Sequence, residues 1–171
     1  MATKFTVAAL DLEANRSDFC CGSEPLDRYF RTQVSQDIKR RVAACFVASD
    51  AQRQIAGFYT LASASIPLTA LPQVFIGKLP RYPSVPAVRM GRLAVAQSFR
   101  GTGLGAALLA DSLRRAATAE IAAYALIVDA KDEDAARFYR HHGFMALPEQ
   151  SLFLFLPLAT VIPMSKQLRE L

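Results

Sequence analysis

Three glycines at alternate positions, in Arg100-Gly101-Thr102-Gly103-Leu104-Gly105, constrain the fold more than any other stretch of the chain. Before them, residues 88–95 are apolar at alternate or near-alternate positions, as in a strand. After them, Leu104, Leu108, Leu109, Leu113 and Ala116 make the apolar side of a helix over about 103–119. Asp111, Arg114, Arg115 and Thr118 make its polar side. Residues 124–130 then read as a buried strand. A strand–helix–strand unit over 88–130 implies a parallel pair joined by a right-handed crossover.

The flanking elements extend this unit. Residues 4–10 can form a first strand. Ser23-Glu24-Pro25 marks a helix start, with Ser23 as cap, and Leu26, Tyr29, Phe30 and Val34 follow at helical spacing. Residues 43–48 and 55–64, joined by the polar turn 50–53, predict an antiparallel hairpin with Gly57 inside its second strand. Five prolines between 67 and 86 should interrupt regular structure there, leaving room for a short helix. Residues 132–142 predict a late helix, capped by Asp132 and stopped by Gly143, and strands at 144–146 and 152–158 complete the pattern. The expected fold class is mixed α/β: a central, mostly antiparallel sheet with helices on both faces, in one domain over 1–171.

Composition narrows the class. A 171-residue chain that is 52% hydrophobic and only 20% charged suits one compact core. No apolar run reaches the roughly 20 residues that span a bilayer. The stretch 152–162 is short and interrupted by Pro157 and Pro163. With no signal-peptide pattern at the start, a soluble cytoplasmic protein is expected. Cys20, Cys21 and Cys45 are too few for a disulfide framework, and adjacency at 20–21 does not match metal-ligand spacing. They read as small buried or half-buried side chains, and no metal is expected. The net charge of +5 is compatible with polyanion partners, but taken alone it reads better as an ordinary solvated surface.

The glycines allow a tight bend and a close approach by a ligand. At a helix N-terminus the first N–H groups lack internal partners and the dipole favours anions. Arg100 adds charge. The turn is thus a pyrophosphate cradle, with several ligands open. A nucleotide P-loop needs Gly-Lys-Ser/Thr, which Leu104-Gly105-Ala106 does not supply. The dinucleotide fingerprint needs a different glycine spacing, and Glu120 falls at a helix end instead of a strand tip. A glycine-rich turn with no ligand is the remaining reading.

The run Arg100 to Gly105 resembles the R/Q-x-x-G-x-G/A motif of the GNAT N-acetyltransferases, with Arg92-Leu93-Ala94-Val95 similar to the strand that leads into it. Downstream, Ala135-Ala136-Arg137-Phe138-Tyr139-Arg140-His141-His142-Gly143-Phe144 resembles the family's A-x-x-F/L-Y-x-x-x-G-F segment. The resemblance implies acetyl-CoA as co-substrate. Its pyrophosphate would rest on Arg100, Gly101, Thr102, Gly103, Leu104, Gly105 and Ala106. Its pantetheine arm would pair with the backbone of Leu93, Ala94 and Val95, where an N–H near Val95 would polarise the thioester carbonyl.

The resemblance also makes Tyr139 the general acid for the departing CoA thiolate, a sensible task for a phenol. Taken without the glycine turn, Tyr139 reads as a core aromatic beside Phe138. His141 and His142 read as helix-end residues that interact with terminal carbonyls. Many family members carry a glutamate on the strand before the turn, as general base. Arg89-Met90-Gly91-Arg92-Leu93-Ala94-Val95 departs from that pattern. A lysine amine, at about 10.4, would stay protonated without a base, whereas an α-amine at about 7.7–8.0 is partly neutral. The departure favours an acceptor amine of low pKa.

Phe19-Cys20-Cys21-Gly22-Ser23-Glu24-Pro25-Leu26-Asp27-Arg28-Tyr29-Phe30 is similar to the F-x-C-G-x-x-x-L-D-x-W/Y-L segment of GNAT-type toxins, as is Gly91-Arg92-Leu93-Ala94-Val95. That resemblance implies acetylation of the α-amine of aminoacyl-tRNA, inhibited translation, a ribbon-helix-helix antitoxin as partner and a homodimer. Arg89, Arg92, Lys39, Arg40 and Arg41 are the candidate tRNA contacts. Acetylation of a small amine or protein N-terminus is the alternative, and a non-catalytic acyl-CoA-binding regulatory module is the alternative of another class.

Overall fold

A computed structural model describes residues 4–161. Ile162, the end of the apolar stretch considered above, and Pro163 after it lie outside the described residues. The elements run β1 (Thr6–Ala9), α1 (Glu24–Arg28), a π-helical turn (Tyr29–Gln33), α2 (Val34–Lys39), β2 (Ala44–Ser49), β3 (Ile55–Pro67), α3 (Gln73–Ile76) and β4 (Ser84–Val95). They continue with α4 (Leu104–Thr118), β5 (Ala125–Asp129), α5 (Glu133–His141), β6 (Met145–Leu147) and β7 (Gln150–Pro157). The strands form one sheet in the order β1-β2-β3-β4-β5-β7-β6. The β4–β5 pair is parallel, as the crossover predicts, while β1–β2, β2–β3, β5–β7 and β6–β7 are antiparallel. Among the described residues no helix is long and apolar enough to cross a membrane.

The chain divides into two compact units, 1–62 with 91–112 and 63–90 with 113–171. In the first unit, alternation along β3 sends neighbouring residues to opposite faces. Phe58 stacks on Phe30 at 4.3 Å and meets Phe19 edge-on at 5.5 Å, so the helical segment covers one face. Gly57 turns to the other face, where an added Cβ would meet the Ala94 carbonyl at 2.8 Å and Leu108 at 2.9 Å. Glycine is therefore what lets α4 and β4 approach β3. In the second unit, Phe155 meets Phe75 of α3 at 5.4 Å. Leu156, on the opposite face, lies 3.8 Å from where a Cβ on Gly143 would stand, at the end of α5.

Several expectations change on folding. Ser23 takes the N-cap position but its hydroxyl makes no capping bond; its carbonyl instead accepts from the Asp27 N–H. The first helix is not regular, because Val34 N–H reaches back five residues to Tyr29 O. This π turn frees the Phe30 carbonyl, which accepts from Arg16 Nε at 2.8 Å. Strand β4 starts at Ser84, so Pro86 lies inside it; its carbonyl accepts from Tyr124 N–H at 2.8 Å, a bond that needs no proline donor. Asp111, expected on the polar side of α4, is half-buried and accepts from the Tyr59 hydroxyl of β3. Cys20, expected to be at least half-buried, is exposed, while Cys21 and Cys45 are buried.

Candidate active site

The glycine turn is built as its sequence requires. Gly101 and Gly103 have φ of 75° and 81°, in the left-handed region that glycine adopts without strain. An added Cβ at either position would meet no protein atom within 4 Å. Packing therefore does not demand glycine here; backbone conformation does. Ala107 N–H is bonded to Gly103 O, so the N–H groups of Leu104, Gly105 and Ala106 lie ahead of the helical ladder. Thr102 closes the turn by donating its hydroxyl to Phe99 O at 2.7 Å.

Arg100 does more than add charge. Its Nη2 donates to Cys21 O, and Gln97 N–H donates to Cys20 O at 2.9 Å. These bonds stitch the Cys20-Cys21-Gly22 loop to the approach of the glycine turn. Gly22, at φ 91°, sits so close that a Cβ would lie 2.8 Å from Arg100 Nη2 and 2.7 Å from Gln97 Nε2. One face of Arg100 thus supports the protein itself. A cavity of about 440 Å³ beside this loop is lined by Cys20, Arg53 and Gln97 among others, not by the glycine N–H groups.

Asp27 and Phe19 tie the rest of this segment to the fold. Asp27, 3% exposed, accepts from Cys21 N–H at 2.8 Å. Burial pushes its carboxyl up, but the Cys21 bonds and the Arg31 charge outweigh burial and hold it below the usual aspartate range. Arg31 ties Phe19 O through Nε at 3.0 Å. Burial raises the Cys21 thiol to about 11 and Cys45 to about 12, so neither is a nucleophile at neutral pH.

On β4, Leu93 and Val95 are half-buried and Ala94 is buried. The register with β5 runs from Ala87↔Ala125 to Met90↔Val128, ending three residues before Leu93. Among the described residues of the first unit, the buried and half-buried carboxylates all have hydrogen-bond partners. Asp27 is held by Cys21, Asp37 by the Tyr29 hydroxyl at 2.8 Å, Asp50 by the N–H groups of Gln52 and Gln54, and Asp111 by Tyr59.

The candidate cations differ in setting. Lys39, Arg40 and Arg41 are exposed at the end of α2, where Arg41 takes φ 58° and ends the helix without a glycine. Arg89 is exposed, with its guanidinium 5.7 Å from the Phe153 ring centre. Arg92 is half-buried, with its guanidinium carbon 3.5 Å from the centre of the Tyr29 ring. Sequence spacing does not register this contact, because Tyr29 and Arg92 come from distant segments.

Tyr139, in the second unit, lies on the buried side of α5. Asp132 caps that helix by accepting from Ala135 N–H at 2.8 Å, and Gly143 ends it at φ 93°. Phe138 and Phe144 pack around Tyr139 at 5.3 and 5.6 Å, and burial alone pushes its phenol up to about 12. The group is wholly protonated at neutral pH. Its hydroxyl meets no hydrogen-bond partner among the described residues. The expected carbonyl bonds of His141 and His142 are not made among the described residues; His142 packs edge-on to Phe138 at 4.8 Å instead. Among the described residues no group of three or more His, Cys, Asp or Glu could hold a metal ion.

The family model for an acetyltransferase (GNAT) domain matches residues 40–146. A tRNA-acetylating toxin of Mycobacterium tuberculosis is 33% identical over 142 residues, covering 82% of this chain and 84% of the relative. The structure of AtaT complexed with acetyl-methionyl-tRNAfMet is similar with a TM-score of 0.87 and 28% identity, covering 94% of this chain and 99% of that one. A mutant AtaT toxin bound to the C-terminus of the antitoxin AtaR and acetyl-CoA is similar with a TM-score of 0.78 and 25% identity, covering 94% and 97%. With its glycine turn, lead-in strand and tyrosine helix in the family's order, and with most of its length matched, this chain belongs to the GNAT acetyltransferase family.

Proposed function

We propose that this single-domain acetyltransferase moves the acetyl group of acetyl-CoA directly onto the α-amine of aminoacyl-tRNA, and so inhibits translation as a toxin. The observation that carries the reading is the glycine turn, whose two left-handed glycines open onto space ahead of α4. Those N–H groups, with the outward edge of Arg100, suit the pyrophosphate of acetyl-CoA. The pantetheine arm lies along the backbone of Leu93, Ala94 and Val95, where an N–H polarises the thioester carbonyl. The relatives named above acetylate tRNA or bind acetyl-CoA and an acetylated tRNA, which supports both substrates here.

The α-amine attacks the thioester carbon, the C–S bond breaks, and Tyr139 gives its proton to the leaving sulfur. A phenol near 12 is a weaker acid than an ordinary thiol of about 8.5. It therefore acts as a hydrogen-bond donor to sulfur as charge develops; full transfer leaves a phenolate, and the proton shed by the attacking amine restores the phenol. The buried and half-buried carboxylates of the first unit have partners, which supports an acceptor that is partly neutral unaided. Arg89, Arg92, Lys39, Arg40 and Arg41 contact the tRNA phosphates. A homodimer in the cytoplasm, neutralised by a ribbon-helix-helix antitoxin, completes the reading; the antitoxin-bound relative supports such a partner. The test is incubation with labelled acetyl-CoA and charged tRNA, uncharged tRNA, a peptide and a small amine in parallel. Label on charged tRNA alone is expected; label only on the peptide or amine overturns the acceptor.

A further inference from the structure

Arg92 is energetically unusual in the first unit. Arg16 bonds Phe30 O, Arg31 bonds Phe19 O, Arg100 bonds Cys21 O, and Arg28 pairs with Glu24. Arg92 is half-buried, yet among the described residues it meets no carboxylate and no hydrogen-bond acceptor, only the face of Tyr29 at 3.5 Å. A partly desolvated cation without a counter-charge is costly unless a ligand supplies one. A ring face leaves guanidinium N–H groups uncommitted, so the stack restrains the side chain while keeping its donors available.

Tyr29 is itself restrained. It is 4% exposed, opens the π turn, and donates its hydroxyl to Asp37 Oδ2 at 2.8 Å. Asp37 thus grips the phenol and not the guanidinium. Its negative charge enriches the ring that faces Arg92 without occupying the Arg92 donors. Burial and Asp37 push the Tyr29 phenol up, with Arg92 pulling the other way, so the ring remains neutral and hydrogen-bonded. Tyr29 is also the motif aromatic of the Phe19 to Phe30 segment.

We propose that Tyr29 and Asp37 are positioning residues that hold the Arg92 guanidinium for a phosphodiester of the acceptor's terminal nucleotides. This rests on the aminoacyl-tRNA reading above and extends it from a charged surface to one oriented contact. A phosphodiester suits the geometry because two of its oxygens can accept from adjacent guanidinium N–H groups.

The test is steady-state kinetics of the full chain, varying charged tRNA and acetyl-CoA separately, for Arg92→Gln, Asp37→Asn, Tyr29→Phe, Tyr29→Leu and the double variant Tyr29→Leu/Arg92→Gln. Arg92→Gln should raise KM for charged tRNA about ten-fold and flatten the slope of log KM against log salt by about 0.7, the share of one phosphate on a single strand. Tyr29→Phe and Asp37→Asn, which keep the ring or the shape, should raise KM about three-fold. Tyr29→Leu should approach Arg92→Gln, and the double variant should be no worse than Arg92→Gln alone. KM for acetyl-CoA should not move. If Arg92→Gln raises the tRNA KM but no Tyr29 or Asp37 variant does, the positioning role is wrong and the acceptor reading stands. Multiplying effects in the double variant, or a rise in KM for acetyl-CoA in place of tRNA, also overturn the proposal. If the unaltered protein acetylates no charged tRNA, the acceptor reading fails and takes this inference with it.

Discussion

Replacing Gly103 by valine separates what the glycine turn does for the fold from what it does for the ligand. Gly103 stands at φ 81°, and an added Cβ meets no protein atom within 4 Å. The folded protein therefore pays only backbone strain, about 1–2 kcal/mol for an L side chain in the left-handed region. For a chain of this size that lowers Tm by roughly 2–8 °C. The ligand loses more. A valine Cβ fills the space in front of the helix N-terminus and pushes phosphate oxygens off the N–H groups there. Each hydrogen bond to a charged group is worth about 1.5–3 kcal/mol. Losing two weakens acetyl-CoA binding by about 3–6 kcal/mol, roughly 10²–10⁴-fold. Calorimetric titration with acetyl-CoA and a thermal melt measure the two effects on the same sample. Gly77→Ala is the control, because Gly77 has an ordinary φ of −64° and also faces open space. Unchanged acetyl-CoA affinity in Gly103→Val would refute the placement of the pyrophosphate. A collapse of Tm far beyond the strain estimate would refute the reading that the turn is open.

Other outcomes follow from single contacts. Tyr139→Phe should cut turnover by about 10²-fold or more while leaving acetyl-CoA affinity intact; stability should change little, because the hydroxyl has no partner among the described residues. Asp27→Asn tests linkage. The folded Asp27 pKa is depressed, so its stabilisation is present above the ordinary aspartate value of about 3.9 and is lost as pH falls through the lower folded value. Melts from neutral to acid pH should therefore show a flatter acid arm in the variant; an identical arm contradicts the Cys21–Asp27 bond. Alkylation at mildly basic pH should label Cys20 alone in the folded protein, since Cys21 and Cys45 are buried with thiols near 11 and 12. Rapid labelling of Cys45 would contradict the packing around β2.

Local pattern and long-range contact were not equally legible. The order of strands and helices, the Asp132 cap, the Gly143 stop and the parallel β4–β5 pair are written in periodicity and in glycine, and the structure reproduces them. What periodicity cannot register is a partner from a distant segment. Asp111 sits at a helical position that reads as solvent-facing, yet β3 brings Tyr59 to it. The π turn at Tyr29 is invisible because one inserted residue leaves the apolar spacing of Leu26, Phe30 and Val34 intact. Pro86 fits inside β4 because its carbonyl accepts from Tyr124 N–H, at the approach to β5, a bond that needs no proline donor. In the site, the glycines and Arg100 were found by motif, but the Arg100 bond to Cys21 O and the Arg92 stack on Tyr29 exist only once the fold joins their segments.

The acceptor is the centre of the account, and the product identifies it most directly. After reaction with acetyl-CoA and charged tRNA, nuclease digestion should release the terminal adenosine still carrying its amino acid, with the acetyl group on the α-nitrogen when read by fragmentation mass spectrometry. Prior deacylation of the tRNA should abolish the product. An acetyl group on a nucleobase, on a protein amine, or on no component of charged tRNA would contradict the account.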